Sequence, residues 1–315
     1  MNNQNPTLEF VRRVIRKRGL SHKTENAYLN HIRRFLEFCG DGDISAERAA
    51  KVAKFLAQFE KIAADSTRNQ AHSALLFLYR GVLGQKLSRR FDEIGRIRPT
   101  VMRREVFTQH EVRAVLKNLR GGCLLIAALM YGSGLRLAEV LRLRVRDLDF
   151  TQKEIIVRET RTGVVERTTF LPASLEKILR RHLVQVTYVH DEDCLAGYGK
   201  TNLPVGVRRK YPLAEREFDW QFLFPAAKLT SAENGLTRLH LSESTVQKAV
   251  ADAVEKAGLE KTGSCQTLRY SFASRLYQHR CDIHSISRLL GHKSIKTTLM
   301  YLNTEKVPVI RSPLD

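Results

Sequence analysis

Between Val145 and Leu171 the helical spacing of apolar residues gives way to three short runs rich in β-branched side chains. These are Val145–Phe150, Glu154–Arg158 and Val164–Leu171, separated by the turn residues Thr151-Gln-Lys153 and Arg161-Thr-Gly163. Runs this short, joined by turns this tight, predict a three-stranded antiparallel meander. Helical patterns lie on both sides of it. The fold class that results is mainly α with a small antiparallel β-sheet, an α+β architecture.

Four helices are expected within residues 5–84. The first carries Phe10, Val14 and Ile15, and the second starts after Ser21 and runs through Tyr28, Ile32, Phe35 and Leu36. A turn from Gly40 to Asp43, followed by Ser45, introduces a third with Val52, Phe55, Leu56 and Phe59 on one face. Asp65-Ser66 start a fourth that ends at Gly84. Residues 85–105 are rich in Arg and weakly periodic, as a basic linker between domains is. A second domain begins at Phe107-Thr108, where Thr108 and Glu111 have capping-box spacing. Its second helix, Cys123–Tyr131, is apolar enough to be buried. A further helix is expected over Leu175–Thr187, and another, Ser242–Ala257, closes at Gly258. Residues 188–240 have little periodicity and scattered Gly, Pro and aromatics, which marks an insertion carrying short elements. The division expected is a 1–86 helical domain, an 87–105 linker, and a 106–315 domain with its insertion at about 188–240.

The chain has 315 residues, more than one ordinary core accommodates. Lys and Arg number 53 against 33 acidic residues, a net charge of +20. Because the basic residues are spread through amphipathic segments, that excess points to nucleic acid as partner. Arg12, Arg13, Arg16, Lys17, Arg18, Lys23, Arg33 and Arg34 decorate the first bundle. The five cysteines are widely spaced and form no CxxC pair, which excludes a disulfide scaffold and points to a reducing cytoplasm. No apolar run reaches the ~20 residues that span a bilayer, and the N-terminus lacks signal-peptide character.

The chemistry concentrates in Cys265–Tyr301 and in the Gly132-Ser-Gly134 turn. Arg136 and Arg269 each stand at a helix start, where a guanidinium can act with free backbone amides on an anion. Glu139, one turn after Arg136, can orient a guanidinium or help the helix start. His292 follows a Leu-Leu-Gly break, and Tyr301 comes nine residues later. A phenol attacks a phosphodiester well only if its proton is drawn off or its charge is stabilised. There is no carboxylate cluster for Mg²⁺, no HExxH, no P-loop and no GxSxG, so the equipped strand-cleavage route is metal-free and uses tyrosine.

GSGLRLAEVLRLRVRDLDF (132–150) and TLRYSFASRL…LLGHKSIKTTLMY (267–301) resemble the two signature boxes of the tyrosine recombinases, the phage-integrase family. The helical segment 5–84 resembles that family's SAM-like core-binding domain. The insertion, with EFDWQFLFP at 217–225 and LHLSESTVQKAV at 239–250, is similar to the integron-integrase branch. The resemblance implies a C-shaped clamp around DNA, with Arg136 and Arg269 binding the scissile phosphate, His292 assisting and Tyr301 forming a 3′-phosphotyrosine. It also implies a homotetramer that exchanges strands between a duplex attachment site and folded single-stranded cassette sites, in a bacterial cytoplasm at the nucleoid. No cofactor, metal or membrane enters that scheme. Trp220 and His240 match positions that meet extruded bases. An exposed Trp stacked on a base contributes about 1–3 kcal/mol; flanked by Phe218 and Phe222, Trp220 can equally belong to local core.

Three departures stand out. The family's His-x-x-Arg begins here with Gln266, which can hydrogen-bond but cannot act as an acid or base at neutral pH. The family's turn Lys, which protonates the leaving 5′-oxygen, is absent from Arg161-Thr-Gly163. Arg161 supplies charge but donates protons poorly, and Lys153 lies at the wrong end of the hairpin. The family's second His is Tyr270 here. An alternative is therefore a relative that recognises recombination sites without efficient cleavage. A third reading, a type IB topoisomerase-like enzyme, is disfavoured by the insertion.

Overall fold

A computed structural model describes residues 7–40, 44, 48–59, 64–85, 94, 104–232 and 235–302. It divides into two compact units, Met1–Met102 and Arg103–Asp315. Residues 41–43 and Ser45 of the expected turn, nearly all of the 85–105 segment and the tail after Leu302 lie outside the described residues.

The first unit packs four helices, α1 (Leu8–Lys17), α2 (His22–Cys39), α3 (Arg48–Ala57) and α4 (Asp65–Phe77), the last continuing through a π-helical turn over Leu78–Val82. Thr7 and Ser21 cap α1 and α2 by accepting from the amides of Phe10 and Thr24. The core holds Ile32, Phe35, Val52, Phe55, Leu56, Phe59 and Leu75, with the Phe35 and Phe55 rings edge to face at 5.3 Å. One expectation is corrected. Val11 and Ile15, four residues apart, form the buried stripe of α1, while Phe10 is 44% exposed. A one-residue shift on a helix turns a side chain by about 100°, so the apolar register is set by the pair that packs on α2.

The second unit opens with α5 (Gln109–Lys117), whose Thr108–Glu111 capping box is formed in both directions. Next comes α6 (Gly121–Ser133), buried along Leu125–Met130, and then the short α7 (Leu137–Arg142). Gly134 ends α6 at φ +64°, and a Cβ there would come within 2.3 Å of the Phe272 ring, so both its conformation and its neighbour require glycine. The sheet has strand order β1 (Leu148–Asp149), β2 (Glu154–Arg158) and β3 (Val165–Phe170), antiparallel throughout, with Ile155 opposite both Leu148 and Thr169. The first strand is shorter than its apolar run because Val145–Asp147 is a 3₁₀ turn. There the Asp147 carboxylate accepts from the Arg144 amide and from Arg158 Nε.

Helix α8 (Ala173–Leu195) runs eight residues beyond the expected Thr187 into the insertion, which then forms α9 (Val205–Lys210), two 3₁₀ turns and the hairpin β4 (Thr230–Ala232)–β5 (Gly235–Thr237). Helices α10 (Glu243–Lys256), α11 (Cys265–Gln278), α12 (Ile283–Leu290) and α13 (Ile295–Leu299) complete the unit. Helix α11 lies against α6, which brings Arg269 under the Gly134 turn.

Candidate active site

Arg269 is the largest fully buried side chain described, on the inner face of α11. Its Nη1 donates to Gly134 O at 2.6 Å and to Glu139 Oε2 at 3.4 Å; its Nη2 donates to Leu290 O at 2.6 Å and meets His292 Nε2 at 3.3 Å. The Nε has no partner among the described residues. Burial pulls the guanidinium pKa down to about 10, with Glu139 opposing, so Arg269 is charged at neutral pH.

Glu139 is the hub. Its carboxylate accepts from the Arg136 amide (2.8 Å) and Arg136 Nη1 (2.6 Å), so the residue caps α7 and orients a guanidinium at once. It also accepts two bonds from Arg167, at 2.8 and 3.1 Å. Burial alone would raise its pKa, but the Arg167 bonds and the surrounding guanidinium charges hold it below the ordinary carboxylate value. Three arginines around one carboxylate leave two positive charges uncompensated, which is the electrostatic form of an anion site. Sequence reading missed Arg167. The signal was present, because it stands at an inward position of β3, two residues before the buried Thr169, where an arginine needs a partner. Its Nε is anchored on Leu289 O at 2.8 Å, and a Cβ on Gly291 would come within 2.9 Å of its guanidinium.

His292 follows the left-handed Gly291 cap of α12. Since an arginine can only donate, Nε2 accepts from Arg269, and Nδ1 carries the proton that goes to Thr298 Oγ1 at 2.9 Å. Burial, then the charges of Arg269, Arg136 and Arg167, lower its pKa to about 4. His292 is thus neutral at pH 7, with a lone pair facing the arginines.

Tyr301 is 6% exposed and packs in the same cluster as Leu290 and Phe272. Its Oη accepts from Gln266 Nε2 at 3.0 Å. Its ring lies edge to face with His292 and Tyr270 at 4.6 and 4.5 Å, and the Arg269 Cζ is 5.8 Å from its centroid. Arg136, Glu139, Gln266, Arg269, His292 and Tyr301 therefore converge.

Arg161 does not join them through any described contact. It is exposed in the β2–β3 turn, which is held by α9: Gly206 N donates to Arg161 O, and a Cβ on Gly206 would lie 2.6 Å from Thr162 O. Lys153 is exposed in the β1–β2 turn at φ +55°. Of the two readings left open for Trp220, the structure has the local-core one. The side chain is 6% exposed among Leu203, Val207 and Ala214, with the Arg146 guanidinium 4.3 Å from its ring. His240 is half-buried, edge to face with Phe222 at 5.1 Å, and its Nδ1 donates to Leu241 O. Both border a cavity of about 530 Å³ that extends to Arg136 and Glu139.

Among the described residues no group of three or more His, Cys, Asp or Glu is placed to hold a metal ion, and no helix is long and apolar enough to cross a membrane.

A model of the phage integrase family matches residues 105–307, and one of the phage integrase N-terminal SAM-like domain matches residues 8–89. An Escherichia coli protein named integrase/recombinase is 38% identical over 314 residues, covering 98% of this chain and 93% of its own. A tyrosine recombinase XerA from Thermococcus onnurineus is 25% identical, covering 94% and 90%. Among solved structures, a lambda integrase dimer bound to a COC′ core site matches with TM-score 0.64 and 16% identity over 98% of both chains. The Tn1549 transposon integrase in complex with transposon right end DNA matches with TM-score 0.62 and 17% identity over 93% of both. With its family model covering the whole of the Arg269–His292–Tyr301 constellation, the chain belongs to the phage integrase family of tyrosine recombinases.

Proposed function

We propose that this protein is a site-specific DNA recombinase that cuts and rejoins strands through a 3′-phosphotyrosine on Tyr301. The observation that carries the reading is the position of the Tyr301 hydroxyl, bonded to Gln266 beside an arginine cluster with two uncompensated charges. A scissile phosphate in that cluster takes bonds from Arg136 and from the unpartnered Nε of Arg269, with the His292 imidazole beside them. Its negative charge offsets the guanidinium charges that keep His292 neutral, which strengthens the imidazole as a base for the phenol proton. The Tyr301 oxygen passes its proton to His292 and forms a bond to phosphorus, the bond to the 5′-oxygen breaks, and the 5′-oxygen takes up a proton from solvent water. One phosphodiester replaces another, so rejoining needs no energy source. Gln266 keeps the nucleophile bonded without exchanging a proton, and Arg161 offers charge near the leaving group without donating a proton readily.

The 1–86 helical domain and the 106–315 catalytic domain clamp the DNA, and four protomers exchange strands. The substrates are those of integron integrases: a duplex attachment site and folded single-stranded cassette sites. The insertion and the cavity running from Arg136 to Trp220 and His240 support this branch, because a cavity of about 530 Å³ can admit an unstacked base. In this reading Trp220 acts as the cavity's wall and His240 as its polar edge. The protein works in a bacterial cytoplasm at the nucleoid.

A suicide substrate nicked near the scissile phosphate tests the proposal. A covalent adduct should accumulate on duplex and on folded hairpin DNA and vanish in Tyr301→Phe. No adduct on either substrate supports the alternative, a relative that binds its sites without efficient cleavage. Adduct on duplex alone removes the integron assignment.

A further inference from the structure

Tyr301 lies in the turn that follows the five-residue α13, so what fixes its ring decides where its oxygen points. Two neighbours are edge-on aromatic rings, His292 and Tyr270. The third is a cation outside the phosphate cluster. The Cζ of Arg104 is 4.8 Å from the centroid of Tyr270 and 5.3 Å from that of Tyr301, and its Nη1 donates to the Tyr270 hydroxyl. Arg104 is delivered there by a stitched segment. The Phe107 amide donates to Ser271 Oγ at 2.8 Å, Val106 O accepts from Lys261, and the Phe107 ring is buried against Gly263. Residues 104–107 therefore run along α11 beside Tyr270, the residue that stands where the family has its second His.

We propose that Arg104 is a positioning residue for the nucleophile. Its guanidinium clips the Tyr270 and Tyr301 rings together so that the Tyr301 oxygen stays on Gln266 at the arginine cluster. A cation near an aromatic face is held by the ring quadrupole, and the bond to the Tyr270 hydroxyl fixes the guanidinium in place. Orienting the attacking group in this way acts on the chemical step, not on the affinity for DNA. The inference rests on Tyr301 being the nucleophile.

The test is single-turnover cleavage of the nicked duplex by the full chain, as a function of protein concentration, for wild type, Arg104→Ala, Arg104→Lys and Tyr270→Phe. Tyr301→Phe serves as the blank, and melting temperatures are measured alongside. Arg104→Ala should lower the saturated cleavage rate about tenfold, the scale of one desolvated cation–ring contact with its hydrogen bond. Half-saturation should stay where it was. Arg104→Lys should recover most of the rate, and Tyr270→Phe, which keeps the ring and loses the hydroxyl, should fall between. An unchanged rate in Arg104→Ala overturns the proposal. So does weaker DNA binding with a normal saturated rate, which would make Arg104 a phosphate contact, or a Lys variant no better than Ala with an equal loss of melting temperature, which would make it packing. If wild type forms no adduct, the nucleophile reading fails and this one with it; adduct in wild type with no effect at Arg104 sinks this one alone.

Discussion

Removing the Glu139 carboxylate tests the electrostatic argument most directly. Glu139→Ala leaves Arg136, Arg167 and Arg269 facing one another with their shared counter-charge gone, and it removes the cap of α7. Breaking a buried ion pair from one side costs about 3–5 kcal/mol, because the remaining charge stays buried. For a unit of this size each kcal/mol shifts Tm by roughly 2–4 °C, so the second unit should melt about 6–20 °C lower. The pH dependence follows in sign. The folded-state pKa of Glu139 is depressed, so its contribution is fully present above the unfolded carboxylate pKa and is lost as pH falls through the lower folded value. Wild type and variant should therefore converge in stability on acidification. The assay is thermal melting between pH 3 and 8, repeated with inorganic phosphate. The variant, with three uncompensated cations in place of two, should gain more from phosphate than wild type does. A variant that melts with wild type at pH 7, or that gains no more from phosphate, would refute the claim that Glu139 is the counter-charge on which the site is assembled.

Three further outcomes are expected. Gln266→His combined with Arg161→Lys should raise the rate of adduct formation on the suicide substrate, and an unchanged rate would show that other groups already handle the protons. The His292 ring should titrate near pH 4 by NMR; because its folded pKa lies below the unfolded value, stability falls as pH drops from about 6.5 toward 4, and His292→Gln should flatten that limb. Trp220→Ala should destabilise the second unit by about 3–5 kcal/mol in denaturant unfolding, the usual cost of deleting a buried aromatic, and a cost below 1 kcal/mol would refute a core role for Trp220.

The meander was legible because turn residues and β-branched runs are local signals, and so was the convergence of Arg136, Arg269, His292 and Tyr301, which two sequence boxes carry. What escaped were residues whose meaning depends on distant partners. Arg167 reads as one more surface arginine until β3 is seen to point it at Glu139, 28 positions away. Arg104 was lost in a segment whose Arg content suggested only a linker. Thr298 gave no sign of receiving the His292 proton, since its bond depends on the turn between α12 and α13. Phe10 failed for the opposite reason. Its hydrophobicity was local and correct, but burial on a short helix follows the neighbour it meets.

The Arg144 guanidinium, eight residues after Arg136, donates to Thr201 Oγ1, Trp220 O and Asn202 O and stacks 3.5 Å from the Phe222 ring. Burial lowers its pKa to about 10, still far above neutrality. These bonds rivet the insertion to the same segment that carries Arg136, so the span between Arg136 and Trp220 is set by covalent geometry and buried polar contacts. Under the proposed function the cavity works as a ruler. A strand lying with one phosphate at Arg136 can place a nucleotide beside Trp220 only if the spacing between the two matches.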